Sequence, residues 1–382
     1  MTTPLQHLVE MGQSPWYDNI RRGFIASGGL PALIDAGIRG VTANPTIFEK
    51  AILGSTDYDE DIRDLLARGA SPADIYETLL IADIGAAADV LRPLYDRTDG
   101  RDGYVSIEVS PKLAHDTAAS IAEARRFWRA IDRPNLMVKV PATAAGIPAI
   151  RQLIGEGLNI NITLIFAVDI YDQVMEAYLA GLEQLAAEGE PLDRVASVAS
   201  FFVSRVDTEV DKRLAARLAA ERDAARRAEL EGLLGKAAIA NARIAYQHFL
   251  HRFAGERFAA LKGHGARVQR PLWASTGVKN PAYRDVRYVE ELIGPDTVTT
   301  LPAATIEAFQ DHGRVARTID TDLDDAYETI RRLEAVGIGM TEVTDALLVE
   351  GVTIFTDSFA RLDAAIQEKR GELLGVGAGR RP

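Results

Sequence analysis

The 382-residue chain predicts a single closed α/β barrel of eight parallel strands, (β/α)8, and three observations carry that prediction. Eight apolar, β-rich runs alternate with stretches that are mostly of helical periodicity. At 47% hydrophobic, the chain can bury one large core. Polar residues gather at the C-terminal ends of the runs, where barrels of this kind carry their sites.

Taken in order, the strand candidates are WYDNI (16–20), GVTANP (40–45), YVSIEV (104–109), LMVKV (136–140), LNINITLIF (158–166), VASVASFFV (195–203), RPLWAST (270–276) and VTTLPA (298–303). The first is short, and the eighth carries a proline, which strand pairing disfavours. Helical stretches such as SPADIYETLLIADIGAAADVLRPLY and TAASIAEARRFWRAI fill the gaps. Between the sixth and seventh candidates lies an Ala-, Arg- and Glu-rich segment. We read residues 206–262 as a long helical insertion on the outside of one barrel domain spanning 1–382. Its charges are mixed in sign, so a solvated helical face is expected there, not a basic arm for nucleic acid. The tail 372–382 reads as disordered.

Composition removes several functions. There is no cysteine, so disulfides, thiolate catalysis and cysteine-ligated metals are excluded. A net charge of −12 argues against nucleic acid as a partner. No signal peptide and no apolar run long enough for a membrane span is recognisable, so the expected location is cytoplasmic. Whether the chain forms a homo-oligomer stays open. Of the six histidines, His248 and His251 form the one close pair, and they fall in the charged segment away from the barrel, so no metal site is expected.

The strand ends supply the candidate residues: Asp18, Asn44, Glu108, Lys139, Asn161 and Thr163, Ser200, Phe202 and Arg205, and then Ser275 and Lys279. Singly, most have plain explanations. An Asp or Asn after a strand usually caps a turn, and Thr is an ordinary strand former. Lys139 is different, because a central barrel strand has no free edge to protect and a buried lysine is rare unless it is paired or working. A lysine beside a carboxylate and hydroxyls, with no thiol or metal, suggests imine chemistry: a neutral amine attacks a ketone, loses water and becomes an electron-withdrawing cation. An apolar surround favours the neutral amine, and Glu108, with Asp18 second, could move the protons. Arg205 offers a planar fork for phosphate, and Ser275 and Lys279 follow strand seven, a region where barrels often bind phosphate.

The ordered motifs GVTANPTIF, YVSIEVSP, LMVKVPAT, NINITLIF and SFFVSRV resemble those of the transaldolase family, over about residues 18–279. The resemblance implies that Lys139 forms a Schiff base and that Glu108 is the acid/base residue, acting through a water held with Thr163. It implies that Asp18 exchanges protons with the substrate hydroxyl. Asn44 and Asn161, helped by Ser200, would orient a dihydroxyacetone unit, while Arg205, Ser275 and Lys279 would grip the phosphate. It further implies transfer of that unit from sedoheptulose 7-phosphate to glyceraldehyde 3-phosphate in the pentose phosphate pathway, with no cofactor. The sequence departs from the common pattern at Ala43, Phe201 and Ser204, and in ASTGVKN, which is longer and ends in lysine. Arg284 or Arg287 could therefore stand in for Lys279. A fructose 6-phosphate aldolase-like enzyme shares the lysine but releases free dihydroxyacetone, and Glu108 and Phe202 favour transfer over it. A metal-dependent or non-enzymatic barrel is the reading from another class.

Overall fold

The structure, a computed structural model, describes residues 2–43 and 45–373. Its centre is a closed barrel of parallel strands in sequence order: β1 (Gln13–Tyr17), β2 (Gly40–Thr42), β3 (Tyr104–Glu108), β4 (Leu136–Pro141), β5 (Ile160–Ile165), β6 (Ser197–Phe202), β7 (Arg270–Ala274) and β8 (Thr297–Leu301). β8 closes the ring on β1, from Gln13 opposite Thr297 to Tyr17 opposite Leu301.

β1 lies three residues earlier than WYDNI suggests. Gln13 and Ser14 look like loop residues, yet both are buried. The Gln13 amide donates to the Leu292 carbonyl (2.7 Å), and the Ser14 hydroxyl donates to Asp102 (2.6 Å). These polar groups fill the N-terminal end of the barrel, so a search for apolar alternation passes over them. Pro302 falls outside β8 and precedes the helix Ala303–His312, whereas Pro15, Pro141 and Pro271 all stand within strands. Pro15 lacks a donor but still accepts from the Arg39 amide (2.7 Å).

The interior follows from size complementarity. A Cβ on Gly40 would come within 2.5 Å of the Trp16 indole, so β2 has no side chain where β1 supplies its largest. Outer helices begin where the sequence caps them. Ser71 and Asp74 form a capping box with Pro72 in the first turn, and Asp116 accepts from the Ala119 amide.

Between β6 and β7 the chain builds four helices: Ser204–Ala220, Ala224–Glu231, Ala237–Ala254 and Glu256–Gly263. The third is no solvated face. It buries Tyr246 and Phe249 and packs against Val168–Ala187 and Leu323–Ala335. On it, the His248 ring meets the Asp172 carboxylate (2.9 Å). The last helix, Met340–Leu373, packs against Pro45–Leu53 and against β5. Gly351 makes the contact with β5 close, since a Cβ there would meet the Leu164 side chain at 2.8 Å. Glu372 and Leu373 belong to this helix, contrary to the expected disorder from 372; residues 374–382 lie outside the described residues. Among the described residues, no helix is long and apolar enough to cross a membrane.

Candidate active site

At the C-terminal end of the barrel a cavity of about 210 Å³ is lined by Asp18, Lys139, Thr163, Ser200, Phe202, Arg205, Ser275 and Lys279. Eight of the eleven residues expected at the site thus line one cavity. Glu108 and Asn161 stand beside Lys139 on the neighbouring strands: β3 and β4 pair Glu108 with Lys139, and β4 and β5 pair Lys139 with Asn161. Asn44 lies outside the described residues.

Lys139 Nζ is 3.4 Å from Glu108 Oε2, and the two side chains are 8% and 6% exposed. That single long contact leaves most of the ammonium's hydrogen-bonding capacity for other groups. Burial raises the Glu108 carboxyl above the usual range, the Lys139 charge pulls it back, and Asp18 raises it further. Asp18 is raised for the same reason, with Lys139 and Lys279 opposing. Two buried carboxyls with raised pKa values thus share the charge of one amine.

A hydrogen-bonded chain supports this centre. The Ser200 hydroxyl donates to Asn161 Oδ1 (2.7 Å), and Asn161 Nδ2 donates to Ser106 Oγ (3.0 Å), which fixes the amide's orientation. Thr163, opposite Pro141, has a buried hydroxyl with no partner among the described residues. Its neighbour Leu164 has a positive φ of 59°, at a register shift between β5 and β6. A branched residue held there marks a strained strand end.

The side of the cavity around Arg205 is equally distinct. Arg205 Nη1 is buried without a partner, and burial lowers the guanidinium's pKa. Glu350 opposes that shift from a distance, but among the described residues no carboxylate is in salt-bridge contact with this arginine. Asp207 accepts from the Ala238 amide and the Tyr288 hydroxyl, and Glu209 pairs with Lys212 and Arg213. Ser275 has φ 58°, and its hydroxyl lies 3.0 Å from that of Ser204. Lys279 reaches the cavity, whereas Arg284 pairs with Glu290 and Arg287 donates to the Gly235 carbonyl.

Thr42, Thr300 and Phe355 also line the cavity, and Ser106 supports it, although none was expected from the sequence. Ser106 could have been found by alternation, two residues before Glu108. Phe355 could not, since it comes from the last helix.

A wider cleft of about 500 Å³ opens at the barrel's other end. Its Arg101, Arg267 and Arg270 already pair with Asp296, Asp99 and Asp102. Its charged lining is therefore mostly engaged in ion pairs, Lys262 apart. Among the described residues, no group of three or more His, Asp or Glu is placed to hold a metal ion.

Comparison with known proteins agrees with this geometry. The family model described as "Transaldolase/Fructose-6-phosphate aldolase" matches residues 15–366. "Transaldolase 1" of Streptomyces coelicolor is 50% identical over 364 residues, 95% of this chain and 93% of that one. "Transaldolase" of Saccharopolyspora erythraea is 49% identical over 370 residues, 96% and 97% of the two chains. "Transaldolase" of Trichodesmium erythraeum is 46% identical over 379 residues, 98% and 100%.

Proposed function

Because the chain belongs to the transaldolase/fructose-6-phosphate aldolase family, we propose that its barrel site transfers a dihydroxyacetone unit between sugar phosphates through a Schiff base on Lys139. The observation that carries this reading is Lys139, buried against Glu108, sharing a cavity with Arg205, whose Nη1 is buried without a hydrogen-bond partner.

Arg205, Ser275 and Lys279 take the phosphate and set the sugar's carbonyl against Lys139. The amine attacks the ketone carbon, and Glu108 passes protons so that water leaves and the iminium forms. Thr163, with its free hydroxyl, holds the water that enters and leaves. Asp18 takes the proton from the neighbouring hydroxyl, the carbon–carbon bond breaks toward the iminium, and an aldehyde departs. The enamine that remains, held by Asn161 and Ser200, attacks the acceptor aldehyde. Asp18 returns its proton to the new alkoxide, and water then frees Lys139. With sedoheptulose 7-phosphate as donor and glyceraldehyde 3-phosphate as acceptor, the products are erythrose 4-phosphate and fructose 6-phosphate, a reaction of the pentose phosphate pathway. No step calls for a cofactor. A cytoplasmic location fits such substrates, and Asn44 is assigned to the dihydroxyacetone unit by family resemblance.

The test is borohydride reduction in the presence of fructose 6-phosphate, followed by mass spectrometry of the intact chain and its peptides. A three-carbon adduct on Lys139, lost in Lys139→Ala, is expected. An adduct on another lysine overturns the site, and no adduct at all overturns the chemistry.

A further inference from the structure

The wall facing Lys139 comes from the end of the chain. Phe355 is 8% exposed and lines the cavity, and Lys139 Nζ sits 5.8 Å from the centre of its ring. That is within reach of the ring's attraction for a cation.

Several independent contacts hold the ring in place. One turn before it, Gly351 lets the helix Met340–Leu373 settle onto Leu164, next to Thr163. One turn after it, Phe359 packs edge-on against Tyr76 (5.4 Å), and Lys112 lies 5.3 Å from the centre of the Phe359 ring. Ser358 and Thr46 bond through their hydroxyls (2.7 Å), and farther along Lys369 meets Asp59 (3.0 Å). A ring anchored on both sides is a fixed part of the site.

We propose that Phe355 is a specificity-determining residue that favours transfer over release by keeping water away from the Lys139 enamine. This rests on the Schiff-base reading above. After the first aldehyde leaves, the three-carbon enamine occupies only part of the cavity, and it has two fates. In transfer, its nucleophilic carbon forms a bond to the acceptor's carbonyl carbon, and the resulting alkoxide is protonated. In release, the same carbon takes a proton delivered through water, giving an iminium, and water then cleaves the carbon–nitrogen bond to free dihydroxyacetone and Lys139. Hydrolysis of an iminium ends both routes, so it cancels in their ratio. Protonation of the enamine carbon does not cancel, and it needs water beside the enamine. The Phe355 ring fills that space with apolar surface and turns its face to the nitrogen, so cationic states lose little when water is excluded.

The experiment is the ratio of two rates in the full-length protein. One is dihydroxyacetone release from fructose 6-phosphate alone, and the other is transfer to an added aldose phosphate acceptor. Phe355→Ala is expected to raise release relative to transfer by roughly tenfold, the effect of about 1.4 kcal/mol between the two barriers. Phe355→Leu refills most of the space and is expected to bring the ratio back toward the native value, which also guards against a folding defect in the alanine variant. If both rates fall together and the ratio stays put, the ring is only packing and the proposal is overturned. If native protein gives neither a borohydride adduct nor transfer, the Schiff-base reading fails first and takes this proposal with it. A native adduct with an unmoved ratio overturns the Phe355 claim alone.

Discussion

Two buried ion pairs sit at opposite ends of the same barrel, and they are built differently. Arg270 and Asp102, at the N-terminal end, are 8% and 6% exposed, as are Lys139 and Glu108 at the C-terminal end. The lower pair is tied into a network. Asp102 also accepts from Ser14, and Arg270 donates to Ser14 (2.7 Å) and to the Arg101 carbonyl (2.6 Å). The upper pair has one contact of 3.4 Å and stands beside Thr163 and Arg205, both with unpartnered polar atoms. Equal burial therefore serves two purposes. The difference lies in the pairs and not in the ends as a whole, since among the described residues Gln13 Oε1 and Gln269 Oε1 at the lower end also lack partners. Arg270 and Asp102 are tied into a network, whereas Lys139 and Glu108 hold only each other.

The largest test of that contrast exchanges the damage between the ends. Asp102→Ala leaves Arg270 as an uncompensated buried cation, and breaking such a pair is expected to cost about 3–5 kcal/mol of stability in urea or thermal unfolding. Turnover of the remaining folded protein should be close to native. Glu108→Gln should do the reverse. Because burial raises the Glu108 carboxyl, the folded chain holds that proton more tightly than the unfolded chain, so stability falls as pH rises from the usual carboxylate range through the folded value. An amide carries no such penalty and can still accept from Lys139. The stability change should stay within about 1 kcal/mol, while turnover drops about 10²–10⁴-fold. If Glu108→Gln unfolds the barrel, or Asp102→Ala silences it while folded, the division between the two pairs is wrong.

A smaller effect sharpens the upper end. Among the described residues no carboxylate is in salt-bridge contact with Arg205, and Glu350 acts on it only from a distance, so its loss should register in binding. Charge-assisted bonds of about 1.5–3 kcal/mol predict that Arg205→Ala raises the Michaelis constant for fructose 6-phosphate by roughly 10–150-fold. Unphosphorylated fructose should be little affected. Lysine at this position should rescue in part, because a point charge cannot make two parallel contacts. Equal losses on both sugars would return Arg205 to a packing role.

What could be read beforehand follows the same division. Lys139, Glu108 and Asn161 were legible because a charge or amide inside a β-branched run has few structural reasons to be there, and strand alternation places such residues on one face. The positions of the seven strands β2 to β8 were legible as apolar, β-branched runs. β1 was misplaced because its Gln13 and Ser14 are polar, and only closure of the ring shows that they plug the barrel's lower end. Tyr246 and Phe249 lay in a stretch whose charge pattern suggested solvent, yet their helix packs between two others. Phe355 had no local signal at all. Its place depends on where a helix more than two hundred residues after Lys139 crosses the barrel mouth.

The smallest effect concerns a third buried carboxyl, Asp207, two residues beyond Arg205 on the same helix. Its oxygens accept from the Ala238 amide (2.7 Å) and the Tyr288 hydroxyl (2.8 Å), so it resembles the lower pair in being satisfied. Among the described residues no cation is in hydrogen-bond contact with it, and burial pushes its carboxyl up to about 6 despite both donors and the more distant Arg287. Between the ordinary value of 3.8 and about 6, the folded chain keeps a proton that the unfolded chain has lost. Stability must therefore fall as pH rises across that window and then level off. Asp207→Asn has no proton to lose. Above pH 6 it should be more stable than the native chain by about 1–2 kcal/mol, less than the full shift allows because the Tyr288 hydroxyl loses a charged acceptor. Melting curves from pH 4 to 8 check this directly. A difference between variant and native that widens from pH 4 to 6 and then stays constant supports the burial penalty. A constant difference across the whole range would mean that Asp207 is fully compensated after all, and that it belongs with Asp102 as a structural anchor.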